Sequence, residues 1–429
     1  MTMDPAVIPL ADAAALDADR VGPKAARLAR LRRAGLPVPD GTCVDARAYR
    51  EALVAGGVAE AAREFVRAER PEGRRLALAV RLGLTRTALP APLTAALLSA
   101  WRDLGAGPGA PVAVRSSALL EDTPETSFAG QFETFLGVDS EADLMTAVRA
   151  CWAALWATRA LRYMHPHGVD PAATAMAVLV QRLVPARAAG GALSLTPEGG
   201  MLITGTWGLG SAIAQGEVVP DRFRLDRAGR IESVEPGRKD RLVRVAPGTG
   251  PRPEAVAPGL EAAPCLEEAQ AVALGRMVLA AEEAFGTPVE VEWALGQHGP
   301  EILQARPLRT GPAVVPDELW LRHPGLTGHP AGMGWGEGPA CVVDHEHELE
   351  RVRLGDVLVT QVAGPALTAV LPRVAGVVAE LGGSTSHLAA LARERGIPAV
   401  LGVPEATRRI PDGALVAVDG VTGVVRWMS

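Results

Sequence analysis

The stretch 382-GGSTSHLAALARERGIPAVLG-402 decides how the C-terminal part of this chain is read. One histidine, His387, follows a Gly-Gly-Ser-Thr-Ser turn and opens an apolar pattern of helical period. Ser386 is placed to cap that helix and Gly396 to end it. Leu388, Leu391 and Ala392, three and four residues apart, then face a core. The imidazole is left at the helix N-terminus, where unpaired backbone N–H groups and the macrodipole favour negative charge. A phosphate carried on His387 is favoured there by about 0.3–1 kcal/mol, or ~2 kcal/mol if partly buried. That helps to hold a phosphohistidine without trapping it, which suits a carrier. Taken alone, a histidine near a helix start is more often a surface residue or a cap.

The whole motif, 382-GGSTSHLAALARERGIPAVLGV-403, closely resembles the phosphohistidine segment of the pyruvate phosphate dikinase and phosphoenolpyruvate synthase group, which also includes rifampicin phosphotransferase. The similarity extends to 412-DGALVAVDGVTGVV-425, which resembles the end of the same swivelling domain. Further segments match the ATP-binding half of this group, in order. They are VGPKAARLARLRRAGLPVPDG from residue 21, VAVRSSALLEDTPETSFAGQFETFLGV at 112–138, TWGLGSAIAQGEVVPDRF at 206–223, and VEVEWAL with EILQARPL within 289–308.

Composition agrees with a globular protein. A chain of 429 residues suggests two to four domains, and 48% hydrophobic against 21% charged residues supplies ample core. The net charge of −6 and the lack of a basic tract argue against a nucleic-acid partner. No apolar run of spanning length occurs, and MTMDPAVIPLADAAALDADR carries acids where a signal peptide carries bases, so no membrane association is expected. Cys43, Cys151, Cys265 and Cys341 are far apart and form no metal-type or redox-type pair, so a reducing cytoplasm is the default. Among 43 basic residues, only Lys24 and Lys239 are lysines.

Coarse patterning sets the organisation. Helical patterns dominate 46–105 with a gap near PEG at 71–73, and 141–164 reads as one amphipathic helix. MAVLVQRLV at 176–184 is a strand, 198–260 is rich in Gly, Pro and short strands, and a long helix fills 266–285. VEVEWAL and EILQAR form a hairpin-like pair, and TGPAVVPDE at 310–318 reads as a linker. After the Gly/Pro-rich 324–340, short strands alternate with one clear helix. The expected fold class is α/β and α+β multidomain, with an ATP-grasp-like nucleotide-binding region followed by a small swivelling β/α phosphohistidine domain. The expected boundaries are 1–200 and 201–310 for two ATP-grasp-like subdomains, 311–327 for a linker, and 328–429 for the phosphohistidine domain.

The candidate site residues make chemical sense one by one. Lys24 follows a Gly-Pro turn, where its ammonium reaches a triphosphate; an isolated GPK would be an ordinary surface lysine. Arg115 ends a strand, and its guanidinium fork matches phosphate oxygens; the alternative is an ion pair with Glu121 or Asp122. The loop 122-DTPETSFAGQFET-134 could close over phosphates through backbone N–H groups and the Thr134 hydroxyl, or be a plain surface loop. Period-two alternation puts Glu290 and Glu292 on one strand face, which also describes any half-exposed strand. The resemblance implies that Lys24, Arg115 and Arg306 contact nucleotide phosphates. It implies that Gln181 reads the adenine edge with backbone contacts from Leu183 and Val184, and that Glu292 and Gln304 hold Mg²⁺. His345 and His347 read as a charged helix start, and His165 and His167 as a surface turn.

The implied chemistry is ATP-dependent phosphotransfer. The neutral imidazole of His387 attacks the β-phosphorus of ATP, AMP and phosphate leave, and the phosphoryl group passes to an acceptor. Taken as coil, the connection from Leu308 to Cys341 covers about 30 Å at ~5–6 Å × √n. The pyruvate barrel and the antibiotic-binding region of the known types have no counterpart in these 429 residues. The expected acceptor is therefore an unidentified small molecule such as a natural product, antibiotic or peptide-like metabolite. The alternative is a phosphocarrier or regulatory subunit serving a partner protein that supplies the acceptor site.

Overall fold

The structure, a computed structural model, describes residues 6–121, 128, 131–246, 248, 250–308, 320 and 323–428. The chain divides into two compact units. The first is Met1–Pro185 with Val245–Arg252 and Glu301–Arg306; the second is Ala186–Arg244, Pro253–Pro300 and Pro307–Ser429.

The first unit is built on five strands in the order β1-β2-β5-β3-β4. These are β1 (Val7–Pro9), β2 (Gly41–Val44), β3 (Val112–Ala118), β4 (Thr134–Val138) and β5 (Met176–Arg182), all antiparallel to their neighbours. β5 is buried from Met176 to Gln181, as its near-continuous apolar run requires. Helix α1 (Ala18–Arg33) packs on β3 and β5. Its regular part starts at Pro23, because Gly22 has φ 77° and ψ 156°. No other residue fits there, since a Cβ at Gly22 would fall inside Ser117. Pro23 then supplies a helix-ready φ and lacks only an N–H that has no helical acceptor.

Two local expectations are corrected here. The PEG at 71–73 is no gap; it lies in the first turn of the helix Arg70–Arg86, where proline is tolerated. The segment 141–164 is two helices, α2 (Glu141–Ala154) and Thr158–Met164. Between them the chain tightens to three-residue hydrogen bonds at Leu155, Trp156 and Ala157, and Ala157 is extended. The break serves packing, because Trp152 and Trp156 are both fully buried and Trp156 Nε1 donates to the Tyr49 hydroxyl at 2.8 Å.

The second unit holds β6 (Ala188–Leu193), β7 (Met201–Trp207), β8 (Asp221–Leu225), β9 (Ile231–Glu235) and β12 (Val289–Gly296), antiparallel in the order β12-β6-β7-β8-β9. Helix α3 (Glu268–Phe285), started by a capping box of Glu267 and Gln270, packs on this sheet. Strands β10 (Arg241–Ala246), β11 (Gly250–Ala255) and β13 (Gly299–Pro307) each carry residues of both units.

The same unit ends in an eight-stranded sheet ordered β14-β21-β20-β16-β17-β18-β19-β15. Its strands are β14 (Gly325–Thr327), β15 (His329–Pro330), β16 (Trp335–Val343), β17 (Val357–Thr360), β18 (Gly376–Ala379), β19 (Ala399–Leu401), β20 (Leu415–Asp419) and β21 (Val424–Met428). β16, β17, β18 and β19 run parallel and are rich in valine, as strands covered on both faces are. Val357, Val359, Val378, Val400, Val416 and Val418 form the core, each contributing about 1.5–3 kcal/mol of burial. The Gly/Pro-rich 324–340 already forms β14 and β15, at the sheet edges that accept Gly and Pro, and the start of β16, where Trp335–Pro339 pairs with β20 and the pairing with β17 begins only at Ala340. Of the expected linkers, 309–319 and 321–322 lie outside the described residues.

Candidate active site

In the first unit, β3 carries the central cation. Arg115 lies opposite Thr134 of β4, so their side chains share a face, and Thr134 is exposed. The Arg115 fork donates through Nη1 to the Leu303 carbonyl at 2.5 Å and through Nη2 to Gln304 Oε1 at 3.0 Å. Thus Arg115, Thr134 and Gln304 converge, with Arg306 two residues along the same strand as Gln304. Lys24, at the start of α1, is buried rather than a surface lysine. Its ammonium is 2.9 Å from Glu121 and donates to the Ser116 carbonyl at 2.9 Å. Lys24 therefore sits directly behind the strand that presents Arg115.

The residues expected around the base lie at the end of β5. Gln181 is buried, and its amide donates to the Pro39 carbonyl at 3.1 Å. The Leu183 N–H donates to the Pro111 carbonyl at 3.1 Å, and the Val184 side chain is buried. In the loop expected to close over the phosphates, residues 122–127 and 129–130 lie outside the described residues.

In the second unit, one row of opposed residues crosses the sheet. Glu292 lies opposite Gly191, Gly191 opposite Thr204, Thr204 opposite Arg222, and Arg222 opposite Glu235. Opposed residues share a face, so Glu292, Thr204 and Arg222 point to the same side, with Glu290 two residues before Glu292. The other face of β12 (Val289, Val291 and Trp293) is fully buried. The alternation read from the sequence thus holds.

The loop before His387 rests on this row. Thr385 Oγ1 is 2.8 Å from Thr204 Oγ1. The Gly382 N–H donates to the Val218 carbonyl at 3.2 Å. Helix α4 (His387–Arg395) begins at His387 itself. Ser386 caps it by accepting from the Ala389 N–H at 3.2 Å, and Gly396 ends it in the left-handed conformation. Leu388, Leu391 and Ala392 are buried, and His387 is half-buried. The second unit by itself therefore brings the histidine loop onto the face that carries Glu292.

Several residues of this site escaped the sequence reading. Arg393, on α4, donates through Nη1 to the Ser384 carbonyl at 2.6 Å and through Nη2 to Glu290 at 2.9 Å. Asp221, in the quoted VVPDRF segment, is fully buried and takes Lys239 as its ion-pair partner. It also accepts from the Gly237 and Cys265 N–H groups, each at 2.7 Å. The scarcity of lysine was the available signal, since both lysines prove to be buried and paired. Arg222 donates from Nη1 to Glu235 at 3.2 Å, but its buried Nε and Nη2 have no hydrogen-bond partner among the described residues. Burial also holds its guanidinium below the usual arginine range. His329 is buried, and its Nδ1 has no hydrogen-bond partner among the described residues. Burial first, then the charges of Arg222 and Arg224, push its pKa down to about 3.

Residues 18–317 match the family described as pyruvate phosphate dikinase, AMP/ATP-binding domain. The chain belongs to this family. Residues 352–423 match a second description, PEP-utilising enzyme, mobile domain. Relatives include the phosphoenolpyruvate synthase of Aeropyrum pernix, 35% identical over 94% of this chain and 56% of that protein. The probable phosphoenolpyruvate synthase of Methanothermobacter thermautotrophicus is 32% identical over 95% of this chain and 61% of that protein. The chain thus spans a little over half the length of these relatives. The AMP/ATP-binding match covers every first-unit candidate as well as Glu292, and the mobile-domain match covers His387.

Each unit carries one residue of the expected magnesium pair, Glu292 in the second and Gln304 in the first. Glu292 offers a carboxylate and Gln304 an amide oxygen, the hard donors that Mg²⁺ accepts beside phosphate and water. Among the described residues no cluster of three or more His, Cys, Asp or Glu gathers for a metal. His345 and His347 are exposed and stacked on each other, and His167 stacks on Tyr163. No described helix is long and apolar enough to cross a membrane.

Proposed function

We propose that this protein is a dikinase-type phosphotransferase that moves the β-phosphate of ATP through His387. The observation that carries the reading is the seating of the His387 loop, by Thr385 on Thr204, in the strand row of Glu292. The neutral imidazole attacks the β-phosphorus, forming an N–P bond and breaking the bond to the oxygen that leaves with AMP. Water then removes the γ-phosphoryl group as phosphate, and phosphohistidine remains. Positioning and electrostatics dominate such a transfer. Lys24, Arg115 and Arg306 neutralise the phosphates, Thr134 donates to them, and Gln181, Leu183 and Val184 border the base. Glu292 and Gln304 would hold Mg²⁺, which when bound supplies charge neutralisation on phosphate oxygens. The helix N-terminus at His387 favours the transferred group by about 0.3–1 kcal/mol.

For the acceptor, we infer pyruvate, giving phosphoenolpyruvate. The names of the relatives support it over the natural-product acceptor expected from sequence. The four buried, unpaired thiols suit a reducing cytoplasm.

The test is incubation with ATP and Mg²⁺, followed by nucleotide analysis and intact mass. AMP and a phosphorylated protein are expected, with the phosphoryl group on His387. ADP as the sole nucleotide product would contradict the β-phosphoryl step. His387→Ala should abolish the phosphoenzyme and keep ATP affinity within about twofold, because His387 acts on bound ATP without helping to hold it. Transfer of β-labelled phosphate to added pyruvate tests the acceptor. Label that moves only to a second polypeptide would make this chain a phosphocarrier instead.

A further inference from the structure

We propose that Gly191 is a docking notch for Thr385, and that this knob and notch set the position of His387 for attack. The proposal rests on the phosphohistidine reading above and adds the residues that place the histidine.

Gly191 sits mid-strand in β6, beside Gly190. Glycine inside a strand costs stability and marks a close approach of another part of the chain. Here the visitor is identified, because a Cβ built at Gly191 falls inside the Thr385 side chain. The notch is rigid. The Gly191 carbonyl accepts from Trp293 Nε1 at 3.2 Å and from Thr204 Oγ1 at 3.3 Å, and Trp293 is fully buried. The same Thr204 hydroxyl meets Thr385 Oγ1 at 2.8 Å, so the knob is held by shape and by a hydrogen bond.

The connection to His387 is short and stiff. Thr385 is followed by Ser386, whose side chain is committed to capping α4, and then by His387 as the first helical residue. A Thr385 lifted from its notch carries the imidazole with it. Gly191 is directly opposite Glu292, one strand spacing of about 4.8 Å away. The notch thus fixes the distance of the loop from the candidate metal carboxylate. The Arg393–Glu290 pair and the Gly382–Val218 hydrogen bond hold the two ends of the loop, while Thr385 holds its tip. A misplacement of about 1 Å at a reacting group can cost 10²-fold in rate.

The test is the rate of His387 phosphorylation by ATP in the full chain. Gly191→Ala should slow it by about 10- to 100-fold with the KM for ATP changed less than about twofold, because the methyl group evicts the knob but leaves the phosphate-binding side chains alone. The double variant Gly191→Ala/Thr385→Gly removes the clash but also the knob, so it should recover only part of that loss. Thr385→Met leaves the sheet untouched and enlarges the knob, so it should be slow even if Gly191→Ala folds poorly. Wild-type rates in Gly191→Ala or in Thr385→Met would overturn the proposal, as would a double variant no faster than Gly191→Ala. A wild-type chain that never forms phosphohistidine would instead sink the functional reading itself.

Discussion

Arg393 and Glu290 form a buried ion pair, 2.9 Å from nitrogen to oxygen, with both side chains less than a tenth exposed. The arginine belongs to the helix that His387 begins, and the glutamate to the strand that carries Glu292. The other guanidinium edge donates to the Ser384 carbonyl in the histidine loop at 2.6 Å. One side chain thereby links the loop, its helix and the strand. Breaking a buried pair from one side typically costs about 3–5 kcal/mol. Arg393→Ala should therefore lower Tm by several degrees in thermal denaturation and slow phosphohistidine formation. An unchanged Tm would mean the pair contributes nothing to the fold.

Arg115 commits part of its fork to the Leu303 carbonyl and Gln304, which fixes the orientation of the guanidinium. Arg115→Gln should cut kcat/KM for ATP by about 10- to 100-fold, the equivalent of one charge-assisted hydrogen bond of ~1.5–3 kcal/mol. Steady-state AMP production measures it, and wild-type kinetics would return Arg115 to a structural role.

The Lys239–Asp221 pair lies wholly inside the second unit, with no exposure on either side chain. Lys239→Met should destabilise by about 3–5 kcal/mol, because it strands a carboxylate in the core. Asp221→Leu/Lys239→Met should be less harmful than the single change, since it removes the buried charge altogether. Denaturant midpoints of the three proteins decide this. A single variant as stable as wild type would show that Asp221 is satisfied by its backbone donors alone.

His329 gives the protein an acid weakness. Its folded pKa of about 3 lies below the ordinary 6.5, so the unfolded chain binds the proton more readily. Its neutral form stabilises the fold fully above pH 6.5, and that stability drains away as pH falls towards 3. At pH 5 the loss is about 2 kcal/mol. His329→Asn should flatten the decline between pH 7 and 5 in denaturant titrations, and an unaltered slope would show that other groups cause it.

Much of the second half was legible from local chemistry. The helix from His387 to Arg395, its serine cap and its glycine end follow from residues within a few positions of each other, so short-range hydrogen bonds decide them. The alternation along β12 likewise told which face Glu290 and Glu292 share. Where local signals competed with packing, the reading failed. The helix expected over 141–164 breaks because Trp152 and Trp156 must both reach the core. Glycine and proline in 324–340 looked like a connection because nothing in the local pattern shows which strands lie at an edge.

The sequence by itself determined the family, the helix that presents His387 and the chemical types available to meet phosphate. These rest on contiguous motifs and on side-chain chemistry that needs no partner to be recognised. Only the tertiary structure decided which residues meet. Lys24 with Glu121, Arg393 with Glu290 and Thr385 in the notch of Gly191 join positions 97, 103 and 194 apart in the chain. No periodicity carries that information, because strand pairing and register bring distant residues together through the packing of the whole sheet.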